Sequence, residues 1–175
     1  MEIVYVDNKC LKIRSKKTSF VVDPNSNMPK TSADFILLLK DEKYNLQKVS
    51  DYRLIISGSG EYELGGIKVS GVRTGADFVY SIRIDNTELI IGKADAISKM
   101  PDKAKEHELA ILNTDTVLSE SIITIIEPRM VVLYGDKIEE SIKALGKDLA
   151  MVQKTKKLSI KEGKLPEEME VVVLE

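Results

Sequence analysis

The side chains able to do chemistry are few. One histidine, His107, and one cysteine, Cys10, stand in 175 residues. A zinc finger, a zinc ribbon or a histidine-rich metal centre needs several such ligands, so none can be built from this pair. A Ser-His-Asp or Cys-His relay would have to use His107. It lies in Lys103-Ala104-Lys105-Glu106-His107-Glu108, a run charged enough to predict a solvent-facing side chain. Cys10 is expected to be buried and inert. A reactive thiol needs a base or a positive setting, and strand alternation turns its neighbour Lys9 to the opposite face. Ser57-Gly58-Ser59-Gly60 has the composition of a phosphate loop, but such a loop must lead into a helix N-terminus and a Lys-Ser/Thr pair. Glu61-Tyr62-Glu63 follows instead, so the segment reads as a structural turn. Tyr5, Tyr52, Tyr62 and Tyr80 read as sheet residues, because no basic stripe accompanies them as base stacking would require.

The elements that must position these residues change character along the chain. Ile3 to Val6, Leu11 to Ile13 and Phe20 to Val22 are short alternating or β-branched runs between polar turns. Phe35 to Leu39 is continuously apolar, as a strand covered on both faces would be. Arg53 to Ile56, Glu61 to Leu64, Ile67 to Val72, Phe78 to Ile84 and Glu88 to Ile91 continue the strand pattern. Gly65-Gly66 and Asp85-Asn86 supply hairpin chemistry between them. Leu118, Ile122, Ile125 and Ile126 then stripe one face of a helix expected from about Asp115 to Glu127, which Pro128 stops. Met130 to Leu133 reads as a strand, and Ile138, Ile142 and Leu145 as the buried face of a second helix. Asp136 and Glu139 resemble a capping pair for that helix, and Gly146 fits its C′ position. Lys157 to Ile160 and Glu170 to Leu174 are closing strands. Strands first and helix–strand units later predict α/β layers around a sheet core.

Composition bounds the partners. With 26 Lys+Arg against 28 Asp+Glu, interspersed, the net charge of -2 removes the electrostatic case for nucleic acid or an anionic membrane. No apolar run approaches the ~20 residues of a membrane span. A single cysteine and an opening that reads straight into a strand predict a cytoplasmic protein without a leader. The length predicts a single domain over 1–175.

Several segments, taken in order, resemble the metallo-β-lactamase superfamily. The similarity is to its small branch of zinc-dependent hydrolases related to ascorbate-phosphate lactonases. Glu2-Ile3-Val4-Tyr5-Val6-Asp7-Asn8-Lys9-Cys10 is similar to that branch's first strand, and Phe20-Val21-Val22-Asp23-Pro24 to its Thr-Asp-Pro turn. Ser32-Ala33-Asp34-Phe35-Ile36-Leu37 is similar to the strand leading into its metal motif. Ser57-Gly58-Ser59-Gly60-Glu61-Tyr62-Glu63 is close to its Ser-Gly-Pro-Gly-Glu-Tyr-Glu. Glu127-Pro128-Arg129 and the tail from Leu158 to Leu174 follow the same branch. The resemblance implies an α/β fold, a minimal metallo-β-lactamase-like αββα sandwich.

The resemblance also shows what is missing. The family's His-x-His-x-Asp-His motif falls on Lys40-Asp41-Glu42-Lys43-Tyr44-Asn45, so Lys40, Glu42, Tyr44 and Asn45 replace its ligands. The histidine of the first strand becomes Asn8, and a later one falls near Gly75-Ala76-Asp77. The bridging aspartate falls on Ala94 without a gap, or on Lys93 or Asp95 with a one-residue slip. The final histidine falls at Tyr134-Gly135. Zinc, the cofactor the family implies, has lost its ligands, and no cofactor is expected. Lys40 and Lys93 would then set ammonium groups near Asp41, Glu42 and Asp77, either as internal ion pairs in place of the metal charge or as parts of a solvated loop. The oxygen donors Asp41, Glu42, Asn45 and Asp77 form an alternative cation or substrate cluster suited to Mg²⁺ or Ca²⁺. The leading expectation is a metal-free pseudoenzyme, a binding or structural module that pairs with itself or another protein. The alternative is a divergent lactonase- or phosphoesterase-like hydrolase using that cluster, with a non-zinc cation or none.

Overall fold

The computed structural model describes residues 1–7, 9–100, 107–161 and 164–175. Two sheets are stacked face to face. The first opens as an antiparallel meander of β1 (Glu2–Asp7), β2 (Cys10–Arg14) and β3 (Ser19–Val22). Between two short paired segments, β4 (Thr31–Ser32) and β6 (Val49–Ser50), runs β5 (Phe35–Leu37), which joins β3 in parallel. β7 (Leu54–Ile56) then pairs parallel to β5.

The second sheet begins as the meander β8 (Gly60–Leu64), β9 (Ile67–Thr74), β10 (Asp77–Ile84) and β11 (Thr87–Lys93). It continues through the parallel strands β12 (Leu109–Asn113) and β13 (Met130–Tyr134). Of the last three strands, β14 (Gln153–Thr155) and β16 (Glu170–Leu174) finish this sheet, while β15 (Lys157–Ser159) returns to pair with β1.

Alternation along each strand builds the core. Ile3, Leu11, Ile13, Phe20 and Phe35 of the first sheet meet Phe78, Tyr80, Ile82, Ile111 and Val132 of the second. Each such fully buried side chain stabilises the fold by roughly 1.5–3 kcal/mol. Phe20 and Phe35 stack with centroids 4.6 Å apart. Among the described residues the outer face of the eight-stranded sheet is covered by three short helices: α1 (Ala94–Ser98), α2 (Glu120–Ile126) and α3 (Ile138–Ala144). The outer face of the six-stranded sheet is covered differently. Met28, Ala33 and Val49 of β6, with Tyr44 and Tyr52 beside them, pack over Cys10, Val21 and Ile36. Among the described residues that layer contains no helix; the β4–β6 pair and the loops around it cover this face. No helix among the described residues is long and apolar enough to cross a membrane.

Several sequence expectations change here. His107 is 8% exposed, not solvent-facing, and its Nε2 lies 2.8 Å from Ser81 Oγ. Charged neighbours in sequence say little about a residue that enters a buried strand. α2 starts at Glu120 rather than Asp115, because residues 114–115 are drawn into the turn after β12: Thr114 N–H donates to the Tyr134 carbonyl. Asp136 makes no cap on α3, whose N-cap is Lys137 without a side-chain hydrogen bond. Pro128 stops α2 as expected, with Glu127 before it in the left-handed conformation (φ +51), and Gly146 (φ +64) follows α3 as its residue type predicts.

Candidate functional site

The carboxyl ends of β3, β5, β11, β12 and β13 lie at one end of the sandwich, the place where α/β sheets bind ligands. At or just past those ends stand Asp23, Lys40, Lys93, Asp115 and Asp136. They line or border a cavity of about 420 Å³, whose walls include Asp23, Lys40, Glu42, Tyr44 and Lys93. Lys9, Lys40, residues 42–45 and Lys93, far apart in sequence, thus belong to one region. Asn8 itself lies outside the described residues.

Two lysines point inward. Lys9 takes φ +68, an uncommon conformation for a bulky residue, which the Tyr5 hydroxyl supports by accepting the Lys9 N–H at 3.1 Å. Its ammonium sits 2.7 Å from Asp115 Oδ1 and 2.7 Å from Asp136 Oδ2. Lys93 Nζ lies 2.8 Å from Asp77 Oδ1, with the two side chains only 21% and 16% exposed. The structure therefore favours Lys93, of the three aligned candidates, as the residue that faces the site. Lys40 pairs with Glu42 at 2.6 Å, but at the rim, 39% and 46% exposed.

The floor is acidic and phenolic. Asp23 (φ +46) accepts the Leu39 N–H at 2.8 Å and faces the Tyr44 hydroxyl. Burial pushes its carboxyl up to about 7, against the pull of the Leu39 N–H, Tyr44 and Lys93. Tyr134 is fully buried, and burial together with Asp23 and Asp115 raises its phenol well above the ordinary value. Burial, with Asp23 next, does the same to Tyr44. Gly135 (φ +127) is a packing position: a Cβ there would come within 3.0 Å of the Thr114 backbone. Cys10 is buried against Met28, 3.8 Å between sulfurs, and burial pushes its thiol to about 12, so it stays protonated.

The four oxygen donors of the alternative cluster go to separate partners. Asp41 turns to Arg73 (2.7 Å), Glu42 to Lys40, Asp77 to Lys93, and Asn45 Oδ1 accepts the Gln47 N–H at 3.1 Å. Among the described residues no three His, Cys, Asp or Glu side chains form a group able to hold a metal ion. Each carboxylate is nearer to a cation than to its fellow carboxylates, the arrangement Coulomb's law favours without a divalent ion. The donor set does not fit zinc. Sequence reasoning found Lys40 and Lys93 but missed Lys9, Asp23, Asp115 and Asp136. Reading Leu109–Asn113 as a strand would have placed Asp115 beside the site, as Asp136 follows β13.

No family model matches the sequence, and no curated protein does. Solved structures do. A candidate Zn-dependent hydrolase of the metallo-β-lactamase superfamily from Thermotoga maritima superposes with a TM-score of 0.76 at 17% identity, over 99% of this chain and 98% of that one. An isothiocyanate hydrolase from Delia radicum gut bacteria gives 0.62 at 8% identity, over 93% and 100%. A candidate metal-dependent hydrolase from Parabacteroides distasonis gives 0.59 at 18% identity, over 83% and 90%. The fold is that of the metallo-β-lactamases.

Proposed function

We propose that this chain is a metal-free pseudoenzyme of the metallo-β-lactamase fold, serving as a binding or structural module in the cytoplasm. The observation that carries the reading is the pair of inward lysines. Lys9 holds Asp115 and Asp136 together, and Lys93 holds Asp77, at the strand ends that the resemblance assigns to the metal. A divalent cation would also hold carboxylates together, and it would polarise and deprotonate a bound water. An ammonium supplies the charge without that open coordination position. The divergent hydrolase would need Asp41, Glu42, Asn45 and Asp77 to act on one point, and their separate pairings give that alternative no support.

Elemental analysis of the purified protein, before and after dialysis against Zn²⁺, Mn²⁺ or Mg²⁺, tests the reading. Less than about a tenth of an equivalent is expected in every case. One tightly held equivalent of any of the three would overturn it.

A further inference from the structure

A sheet ends in two strands whose outer backbone groups have no ladder partner, and folded proteins blunt such edges with charge. The two large sheets have four edges: β15 and β7 of the first, β14 and β8 of the second. Three of them are charged. β8 carries Glu61 and Glu63, β14 carries Lys154 and β15 carries Lys157, all exposed. The fourth, β7, is Leu54-Ile55-Ile56. β14 and β15 are also three residues long, so shortness alone does not account for the difference.

The β7 edge is held in place on one side and open on the other. Leu38 N–H donates to the Ile56 carbonyl and Arg53 N–H to the Asp34 carbonyl, both at 2.9 Å. The Arg53 side chain is tied to Asp34 at 3.1 Å. Backbone groups alternate along a strand, so an Ile56 carbonyl that faces β5 turns the Ile55 N–H and carbonyl outward. The Ile55 side chain shares the outer face of the sheet with its neighbour on β5, Ile36. Ile36 is fully buried by the residues that cover that face, whereas Ile55 is 38% exposed. Among the described residues the other exposed large apolar side chains are Val117 and Met151, neither of them on a strand.

We propose that β7 pairs antiparallel with β7 of a second copy of this chain, about a two-fold axis at Ile55, and joins the two six-stranded sheets into one. The axis makes Ile55 its own partner. The two residues exchange both N–H···O bonds, and their side chains pack on each other. Leu54 of each copy faces Ile56 of the other, and Arg53 falls opposite Ser57, so no like charges meet. The same operation on β8 would set Glu61 against Glu63, and on β14 Lys154 against itself, which places the second copy at β7. A two-fold contact of this kind closes at the dimer. One short strand buries far less than the ~800 Å² per partner of a standard interface, so the association is weak. The pairing goes beyond the metal-free reading and does not depend on whether the strand-end site holds a metal.

Sedimentation velocity from about 10 μM to about 1 mM, the range in which so small an interface associates, tests the pairing. A monomer–dimer equilibrium is expected, with nothing larger. Ile55→Lys removes the apolar contact and sets two ammonium groups against each other, and should weaken the dimer at least about tenfold. Met151→Lys, at an exposed apolar side chain away from β7, should leave the equilibrium unchanged. Ile55→Cys gives a measurement that does not rely on the stability of the lysine variant. Hydrogen-bonded antiparallel partners have Cα atoms about 5.5 Å apart, within the span of a disulfide, so mild oxidation should yield a covalent dimer. The parent protein, whose Cys10 is buried, should yield none. A protein still monomeric at about 1 mM, a dimer that survives Ile55→Lys or is lost in Met151→Lys, oligomers beyond the dimer, or no covalent dimer from Ile55→Cys would each overturn the pairing.

Discussion

The two ends of the sandwich use the same side chain in opposite ways. At the strand carboxyl ends Lys9 and Lys93 are held by three aspartates at 2.7–2.8 Å. At the turn end, by Gly65-Gly66 and Asp85-Asn86, Lys17, Lys68 and Arg83 are exposed, and Lys68 and Arg83 sit in a row across the sheet between Glu63 and Glu88. An ammonium surrounded by acids has its charge satisfied within the protein and acts as a structural cation. One on the exposed sheet surface is screened by water and carries little structural weight. Under the proposed metal-free reading, the strand-end lysines serve as architecture while the cations of the turn end stay on the surface.

The largest expected effect comes from Asp23, on the floor below the inward lysines. Burial pushes its carboxyl up to about 7 in the folded chain, well above the ordinary aspartate value of about 3.9. The folded state therefore binds the proton more tightly than the unfolded one. The stability this contributes is fully present below the unfolded value and is lost as pH rises from about 4 through about 7, on the order of a few kcal/mol. Urea unfolding is expected to show a lower midpoint at pH 8 than at pH 5. Asp23→Asn, which mimics the protonated acid, should flatten that difference. A midpoint equal at both pH values in the parent protein would show that Asp23 is not held in its neutral form.

Next in size is Lys93→Ala, which leaves Asp77 half-enclosed without its cation and Asp23 without an opposing charge. A loss of about 2 kcal/mol is expected, below the range for a fully buried pair because a fifth of the lysine remains exposed. The double substitution Lys93→Ala with Asp77→Ala should recover part of it. If Lys93→Ala alone proved neutral, the inward lysine would be no more structural than the exposed ones at the turn end.

How much of this the sequence discloses depends on what surrounds each residue. The meander from Gly60 to Lys93 is legible because its turns carry Gly65-Gly66 and Asp85-Asn86, whose positive φ values require such residues. The strand Leu109–Asn113 is not: all five residues are buried on both faces, so no period survives, and it follows a charged run. Missing that strand also hid His107 two residues before its start and Asp115 just after its end. The aligned site positions were legible only through resemblance to a family whose ligands have been replaced here. Lys9 escaped notice because alternation assigned it to the face opposite Cys10, whereas the irregularity in β1 between Tyr5 and Asp7 and a left-handed backbone turn it into the site. Asp136 escaped because it looked like a helix cap, and its partner is 127 residues away.

A smaller effect is expected at Cys10. Its thiol is pushed to about 12 by burial, with Asp23 and Asp7 adding repulsion to the thiolate. Iodoacetamide at pH 8 should leave the native protein unmodified and label it stoichiometrically in urea. Rapid labelling of the folded chain would mean that the loop layer over the six-stranded sheet opens readily, and that the lysine end is less fixed than the comparison requires.

The smallest effect is expected where the two ends come to resemble each other. Lys40 belongs to the former metal motif, yet its pair with Glu42 lies at the rim with both partners more than a third exposed. Solvent screens such a pair, and holding two long side chains together costs rotamer freedom that offsets the attraction. Lys40→Ala should therefore leave the urea midpoint where it was, and 0.5 M salt should not separate the two proteins. A clear loss of stability would extend the structural lysines from the two inward ones to the rim. A null result alongside a destabilised Lys93→Ala would locate the boundary between locked and free charge inside the cavity, at the depth where water stops screening the pair.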